Sequence, residues 1–170
     1  MEIEEFRKQF IDELRFNAEH EGTEPETQII EKILTGLEEI GALHDPIPKS
    51  VEMRGSRNRI LAFDAYAYDE ADGALVLIAS DFTNQRDTAP TLTNTRIEEL
   101  YGRMLNFVEE SVQGNISKYC DDSDPALLIA NEFRKKIGKG MLSTEILRFK
   151  FYIVSNATLS KQVKNLSKPD

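Results

Sequence analysis

The stretch of residues 59–82 is the feature that most constrains how this chain can fold. In its first half, residues 60–68, successive side chains fall alternately on two faces, and this period of two is typical of a β-strand. Its second half, residues 74–82, is almost wholly apolar, as expected for a strand covered on both faces. The turn between them contains Asp72-Gly73, a pair that favours a tight hairpin. The sequence therefore predicts a β-hairpin at the centre of a sheet.

One carboxylate, that of Asp64, lies inside this hairpin. If Asp69 and Ala74 flank the turn, Asp64 lies opposite Ala79 on the second strand. Because side chains alternate between the two faces of a sheet, we expect Asp64, Ala79 and Asp81 to share one face.

The carboxylate of Asp64 has two interpretations. An acid in mid-strand costs several kcal/mol unless it is paired or binds a metal ion. Asp64 is therefore either a solvated or paired aspartate near a strand end, with Arg57 or Arg59 as its partner, or a metal ligand.

Composition limits the kind of site that the chain can hold. A single cysteine, Cys120, excludes an internal disulfide and indicates a reducing compartment, so we expect a cytoplasmic protein. Together with only two histidines, His20 and His44, it cannot build a His/Cys metal site. Any metal ion would have oxygen ligands, which favours Mg²⁺ or Mn²⁺. No apolar run approaches the roughly 20 residues that span a bilayer, so no membrane partner is expected.

Charge is unevenly distributed along the chain. The net charge is −9, but residues 1–130 hold 12 Lys and Arg against 27 Asp and Glu, whereas residues 131–170 hold 9 against 3. This asymmetry indicates either a nucleic-acid surface at one end or an electrostatic fit within the molecule. The acidic excess argues against broad, non-specific affinity for DNA.

A short basic loop or strand edge precedes the hairpin and carries Arg54, Arg57 and Arg59. Guanidinium groups suit phosphate, so these three residues are the candidate nucleic-acid-binding site. The alternative is a solvated loop in which arginines compensate Asp64 or Asp81.

Helical spacing of apolar residues predicts helices over residues 2–20, 23–40, 95–112 and 124–136. The second begins at a capping box of Thr23 and Glu26, and the fourth at Asp124-Pro125. A third strong strand is predicted over residues 146–155, and an edge strand near residues 48–53. This order predicts an α/β fold, with a mixed central sheet of about four strands flanked by helices and with two N-terminal helices. We expect residues 1–170 to form one domain, the N-terminal part of a longer protein.

Three segments carry a resemblance to a known family: RGSRNR at residues 54–59, LAFDAYAYDE at 61–70 and LVLIASDF at 75–82. They resemble the N-terminal domain of bacterial abortive-infection phage-resistance (AIPR-type) proteins, and the likeness extends loosely over the whole chain. The wider family resembles the restriction-endonuclease-like, PD-(D/E)xK nuclease fold. The resemblance implies a role in phage defence. It also implies a fold in which a helix, a three-stranded meander, a second helix and a further strand follow one another.

The resemblance also implies a site. Nucleases of this fold hold Mg²⁺ with an aspartate on one strand and an acid or glutamine, two positions before a lysine, on the next. Asp64 matches the first aspartate, and the second motif falls on Ala79-Ser80-Asp81. Ala79 lacks the metal-binding group and Asp81 replaces the lysine, so the motif is incomplete and enzymatic activity is left open. Asp64 and Asp81 are the candidate catalytic residues.

Two functions follow from these observations. The first is a phage-defence module with a degenerate nuclease-like site that binds DNA or RNA, its own C-terminal domain or another protein. The alternative is an active Mg²⁺- or Mn²⁺-dependent nuclease that uses Asp64 and Asp81 as an atypical acid pair. Glu26 or Glu31 on the second helix is a candidate for the missing carboxylate.

Overall fold

The computed structural model describes residues 3–83, 89–138, 145–161 and 163. The helices in these ranges are α1 (Ile3–Glu21), α2 (Pro25–Glu39), α3 (Asn94–Gln113) and α4 (Pro125–Ile137). The strands are β1 (Ile47–Arg54), β2 (Ile60–Asp69), β3 (Ala74–Asp81), β4 (Thr91–Leu92), β5 (Arg148–Ser155) and β6 (Thr158–Leu159). Within the same ranges, no helix combines the length and the apolar content needed to cross a bilayer.

Local sequence signals determine where the helices begin. The start of α4 is confirmed: Asp124 accepts a hydrogen bond from a first-turn N–H at 2.8 Å, and Pro125 occupies the first helical position. The capping box predicted for α2 is wrong. Pro25 takes the first helical position there, so the cap residue is Glu24 rather than Thr23.

The central sheet has the strand order β1-β2-β3-β5. β1, β2 and β3 form an antiparallel meander, and β5 lies parallel to β3. A parallel return requires a long crossover, which α3 and α4 supply. The α/β class and the mixed four-stranded sheet are therefore confirmed, with β1 as the predicted edge strand. β4 and β6 form a separate two-stranded parallel sheet.

The predicted register of the hairpin is confirmed. Asp69 pairs with Ala74 across the turn, and the ladder between β2 and β3 extends to the pair Ala65 and Ile78. The turn contains Gly73 at φ +58°, a conformation that glycine adopts without the steric cost that a side chain would bring.

The side-chain alternation of β2 is not regular. Phe63 and Tyr66 lie three positions apart, yet both pack into the core layer beneath α3 and α4, whereas Ala65 faces the layer beneath α2. At the same point β1 shifts its register between Pro48 and Val51. An irregularity of this kind re-aims the side chains of the strand that carries it.

Two apolar layers cover the two faces of the sheet. The larger layer joins β2, β3 and β5 to α3 and α4, and its largest fully buried side chains are Phe63, Phe107 and Phe133. Burying each phenyl ring stabilises the fold by about 1.5–3 kcal/mol. The smaller layer places Ile30 and Leu34 of α2 on the opposite face. The middle of β2, where Asp64 lies, is thus between a helix on one face of the sheet and a helix on the other.

Candidate functional site

Asp64 lies where the ladder between β2 and β3 ends. One carboxylate oxygen, Oδ2, accepts hydrogen bonds from the backbone N–H and from the hydroxyl of Ser80, each at 2.7 Å. The other oxygen, Oδ1, accepts from the hydroxyl of Ser50 at 3.1 Å. The ladder's last pair is Ala65 and Ile78, so the carboxylate stands in for a backbone partner of Ser80. Asp64 therefore acts as a hydrogen-bond acceptor that closes the end of the β2–β3 pairing.

The partners of Asp64 differ from those that the sequence predicts. The prediction that Arg57 or Arg59 pairs with Asp64 is wrong, because the donors to this carboxylate are the serines of the neighbouring strands. Backbone and hydroxyl donors satisfy the carboxylate at its place in the sheet without a counter-ion.

Asp81 lies on the other face of the sheet. Its Oδ1 accepts from Arg96 Nε at 2.8 Å, and the Nη2 of the same arginine lies 2.8 Å from Oδ1. Arg96 belongs to α3 and also binds Glu99 at 2.9 Å. Asp81 is thus held by the helix that covers the larger core layer.

The expectation that Asp64, Ala79 and Asp81 share a face is wrong. Ala79 packs in the layer beneath α3, and alternation along β3 places Asp81 on the same face. Asp64 instead binds Ser80, which lies between these two residues and faces the other way. The physical reason is the break in alternation of β2 after Phe63. Sequence periodicity places Asp64 on the α3 face, and the irregular strand turns it to the α2 face.

A cleft of about 410 Å³ opens beside Asp64. It is lined by residues of α2, β1, β2, β3 and α3, and Asp81 is not among them. The charged lining side chains are the acids Glu26, Glu31, Glu52 and Asp64 and the bases Lys49, Arg96 and Arg103. The fold therefore brings Glu26 and Glu31 to the same cleft as Asp64, which the sequence spacing alone does not show.

The residues around Asp64 do not fit a magnesium site. Mg²⁺ takes carboxylate and carbonyl oxygens in a near-octahedral arrangement, and the carboxylate of Asp64 is already engaged by three hydrogen bonds. Ala79 offers a methyl group, and Asp81 is paired with Arg96 on the opposite face. Among the residues that the structure describes, no group of three or more His, Cys, Asp and Glu side chains is placed to hold a metal ion.

The three arginines around the basic loop have different environments, and the first, Arg54, is the last residue of β1. Arg59 is turned inward: its Nη2 lies 2.6 Å from Glu110 Oε1 on α3, and its Nη1 lies 3.5 Å from Glu109. Arg54 donates to the side-chain oxygen of Asn58 at 2.8 Å and is exposed. Arg57 is exposed at the tip of the loop, with a left-handed φ of 56°. The loop therefore presents two arginines to solvent and uses the third as an anchor.

Glu110 is a buried carboxylate that the sequence analysis misses. Only 2% of its surface is exposed, and its two oxygens accept from four side chains. The donors are Ser56 at 3.3 Å, Arg59 at 2.6 Å, Asn115 at 2.9 Å and Tyr119 at 3.1 Å. Burial alone would raise the pKa of Glu110, but the hydrogen bonds from Asn115, Tyr119 and Arg59 outweigh burial and lower it.

The position of Glu110 in the sequence carries a signal for this role. It lies three residues after Phe107, so it falls on the stripe of α3 that faces the core. An acid on such a stripe needs a buried partner, and the loop that precedes the hairpin supplies it through Arg59 and Ser56. Glu110 thus fastens the basic loop to α3.

Comparison with known proteins gives one family. Residues 29–170, well over half of the chain, match the family described as "Abortive infection phage resistance protein N-terminal domain". Searches of curated proteins and of solved structures give no match. The match includes the basic loop, the hairpin with Asp64, and α3 with Glu110. This chain therefore belongs to the family of abortive infection phage resistance protein N-terminal domains.

Proposed function

We propose that this chain is a nucleic-acid-binding module of a phage-defence protein, with a nuclease-like site that no longer supports metal-dependent cleavage. The observation that carries the loss of cleavage is the carboxylate of Asp64, which accepts two hydrogen bonds from Ser80 and one from Ser50. A carboxylate whose oxygens already accept these hydrogen bonds is a poor metal ligand. Asp81 lies on the other face of the sheet.

The element order supports a nuclease-like ancestry for this module. From α2 onward it consists of a helix, the antiparallel meander of β1, β2 and β3, the two helices α3 and α4, and the parallel strand β5. This is the order that the resemblance to restriction-endonuclease-like proteins implies, with one helix more before the last strand. Fold alone does not determine activity, so the capacity for cleavage depends on the residues around Asp64.

The basic loop supports the choice of nucleic acid as the ligand. Glu110 holds the loop on α3 through Ser56 and Arg59, so the exposed side chains of Arg54 and Arg57 are presented from a fixed base. Guanidinium groups bind phosphate oxygens through paired N–H donors. Two such groups on an anchored loop form a small phosphate-binding surface on an otherwise acidic chain.

The binding experiment measures anisotropy of labelled single-stranded RNA and duplex DNA with wild type, Arg54→Ala, Arg57→Ala and the double variant over a range of salt concentrations. We expect affinity to fall with salt, and the slope of log K against log salt to decrease by about 0.7–0.9 for each phosphate contact removed. Lys135→Ala is the matched control, because Lys135 is an exposed cation on α4, away from the loop.

Equal affinities in the double variant and in wild type would overturn the nucleic-acid proposal. Absence of binding by the wild type to both nucleic acids would do the same, and would leave a protein as the ligand of the module.

The alternative function is an active nuclease, favoured by one observation. Glu26 and Glu31 of α2 line the same cleft as Asp64, so acids other than Asp81 are available on that side. A plasmid-nicking assay with Mg²⁺ and Mn²⁺ separates the two functions. Nicking by wild type that is lost in Asp64→Asn would favour the nuclease, and we expect no nicking above the buffer control.

A further inference from the structure

The central sheet has two edge strands, and only one of them is interrupted by a proline and a register shift. β1 carries Pro48, which lacks an N–H, and its register shifts between Pro48 and Val51. It also carries the exposed charges of Lys49 and Glu52. Proline, bulges and charges are the devices by which natural sheets discourage strand addition at an edge.

β5, the other edge, has neither a proline nor a register shift, although it carries the cations Arg148 and Lys150. Its eight residues pair one to one with the eight residues of β3, without a register shift. No residue of β5 is fully buried, whereas the first six residues of β3 are. Within the described parts of the chain β5 pairs with β3 alone, so its other edge presents backbone N–H and C=O groups for pairing.

Apolar side chains continue along this open edge. Leu147, just before β5, is 73% exposed, and Phe149 is 38% exposed. The ring of Phe149 lies 6.4 Å from that of Phe151, which packs edge-on against Tyr101 of α3 at 5.0 Å. Phe149 thus continues the larger core layer at the edge of the sheet, whereas the side chain of Leu147 lies beside Gly73 in the β2–β3 turn.

We propose that β5 is a dimerisation edge, on which β5 of a second copy of this chain pairs antiparallel. The two sheets then form one continuous eight-stranded sheet about a two-fold axis perpendicular to it. Such an axis keeps α3 on the same face in both copies. Odd-numbered residues of one β5 therefore lie opposite odd-numbered residues of the other, and even-numbered opposite even-numbered. The pairing centred on Phe151 satisfies this condition.

In this pairing the cations of the two copies do not face each other directly. The strand contains no acid, and its two cations, Arg148 and Lys150, lie opposite Val154 and Tyr152 of the second copy. Like charges are therefore not directly opposed, which a symmetric interface must avoid.

Lys150 is already neutralised within its own chain. Its Nζ lies 2.7 Å from Asp69 and 2.6 Å from Asp72. Phe149 lies opposite Ile153 of the second copy, and aromatic and β-branched residues form favourable cross-strand pairs. The pairing adds backbone hydrogen bonds and covers the exposed ring of Phe149 at the same time.

Sedimentation equilibrium of the chain over a range of concentrations tests this interface. We expect a monomer–dimer equilibrium in wild type and a dissociation constant raised about tenfold or more in Phe149→Lys, because the substitution occurs twice in a symmetric interface. Leu128→Lys is the matched control, since Leu128 is an apolar residue of α4 with 69% exposure. It should leave the dissociation constant unchanged.

Hydrogen exchange of wild type at low and high concentration locates the interface without a substitution. We expect amides of residues 148–155 to gain protection as the dimer forms. A chain that stays monomeric at all concentrations would overturn the proposal. So would a dimer that Phe149→Lys, still folded by circular dichroism, does not weaken, or one that protects β1 instead of β5.

Discussion

At the scale of single residues, two buried or half-buried acids determine how this site is built. Asp64 closes the end of a strand pair, and Glu110 fastens the basic loop to α3. Both are acceptors for several donors; the sequence places Asp64 on the wrong face of the sheet and does not single out Glu110. Substitution of either acid should therefore lower the free energy of unfolding.

Glu110→Gln should destabilise the chain by about 2–3 kcal/mol, because a buried acceptor with a charged partner is replaced by a group that also brings unpaired donors. Urea denaturation measures this difference. Glu109→Gln is the matched control: Glu109 is exposed, its oxygen lies 3.5 Å from the same arginine, and its loss should cost less than about 1 kcal/mol. Equal losses in the two variants would contradict the role assigned to Glu110.

The same carboxylate predicts how stability depends on pH. The pKa of Glu110 is lower in the folded chain than in the unfolded chain, so its contribution is fully present above the unfolded value. That contribution is lost as pH falls through the lowered folded pKa. Wild type should lose more stability than Glu110→Gln on acidification below pH of about 4.5, the ordinary value for glutamate. Parallel stability curves for the two proteins over this range would contradict the prediction.

Asp64→Ala should destabilise the chain by about 1–3 kcal/mol, because the backbone N–H and hydroxyl of Ser80 lose their acceptor. Asp64→Asn keeps one acceptor oxygen and should cost less. Thermal or urea unfolding of the two variants measures the difference. If Asp64→Ala were as stable as wild type, the carboxylate would not be a structural acceptor, and its place in the cleft would call for another role.

At the scale of elements, the loop between β1 and β2 lies close to the core. A Cβ atom added to Gly55 would lie 2.6 Å from Cδ1 of Leu61, which is fully buried. Gly55→Ala should therefore cost about 1–3 kcal/mol through overpacking, and should weaken nucleic-acid binding by displacing the loop. Gly36→Ala on α2 is the matched control, because nothing lies within 4 Å of its added Cβ. That change should stabilise the chain by up to about 1 kcal/mol.

The sequence predicts those features of the elements that depend on interactions between residues close together in the chain. The hairpin register depends on a turn of a few residues, and the start of α4 on Asp124 and Pro125, so both can be predicted. The face of Asp64 depends on the break in β2 and on the shift in β1, which local periodicity does not contain. The partner of Glu110 lies 51 positions away at Arg59, and only the packing of α3 brings the two together.

At the scale of the whole molecule, the sheet separates two regions with different roles. Its open end beside Asp64 forms a cleft between α2 and α3, and its open edge at β5 faces away from the rest of the sheet. The basic loop lies at the far end of β1, anchored to α3. Under the two proposals, this small α/β fold combines a loop that binds nucleic acid with a separate dimerisation edge.

The central claim is that the carboxylate of Asp64 serves the sheet rather than a metal ion. A calorimetric titration of Mn²⁺ into the wild-type chain tests it most directly, with Asp64→Asn as the comparison. We predict traces at the level of dilution heat for both proteins. Binding heat in wild type that disappears in Asp64→Asn would contradict the account.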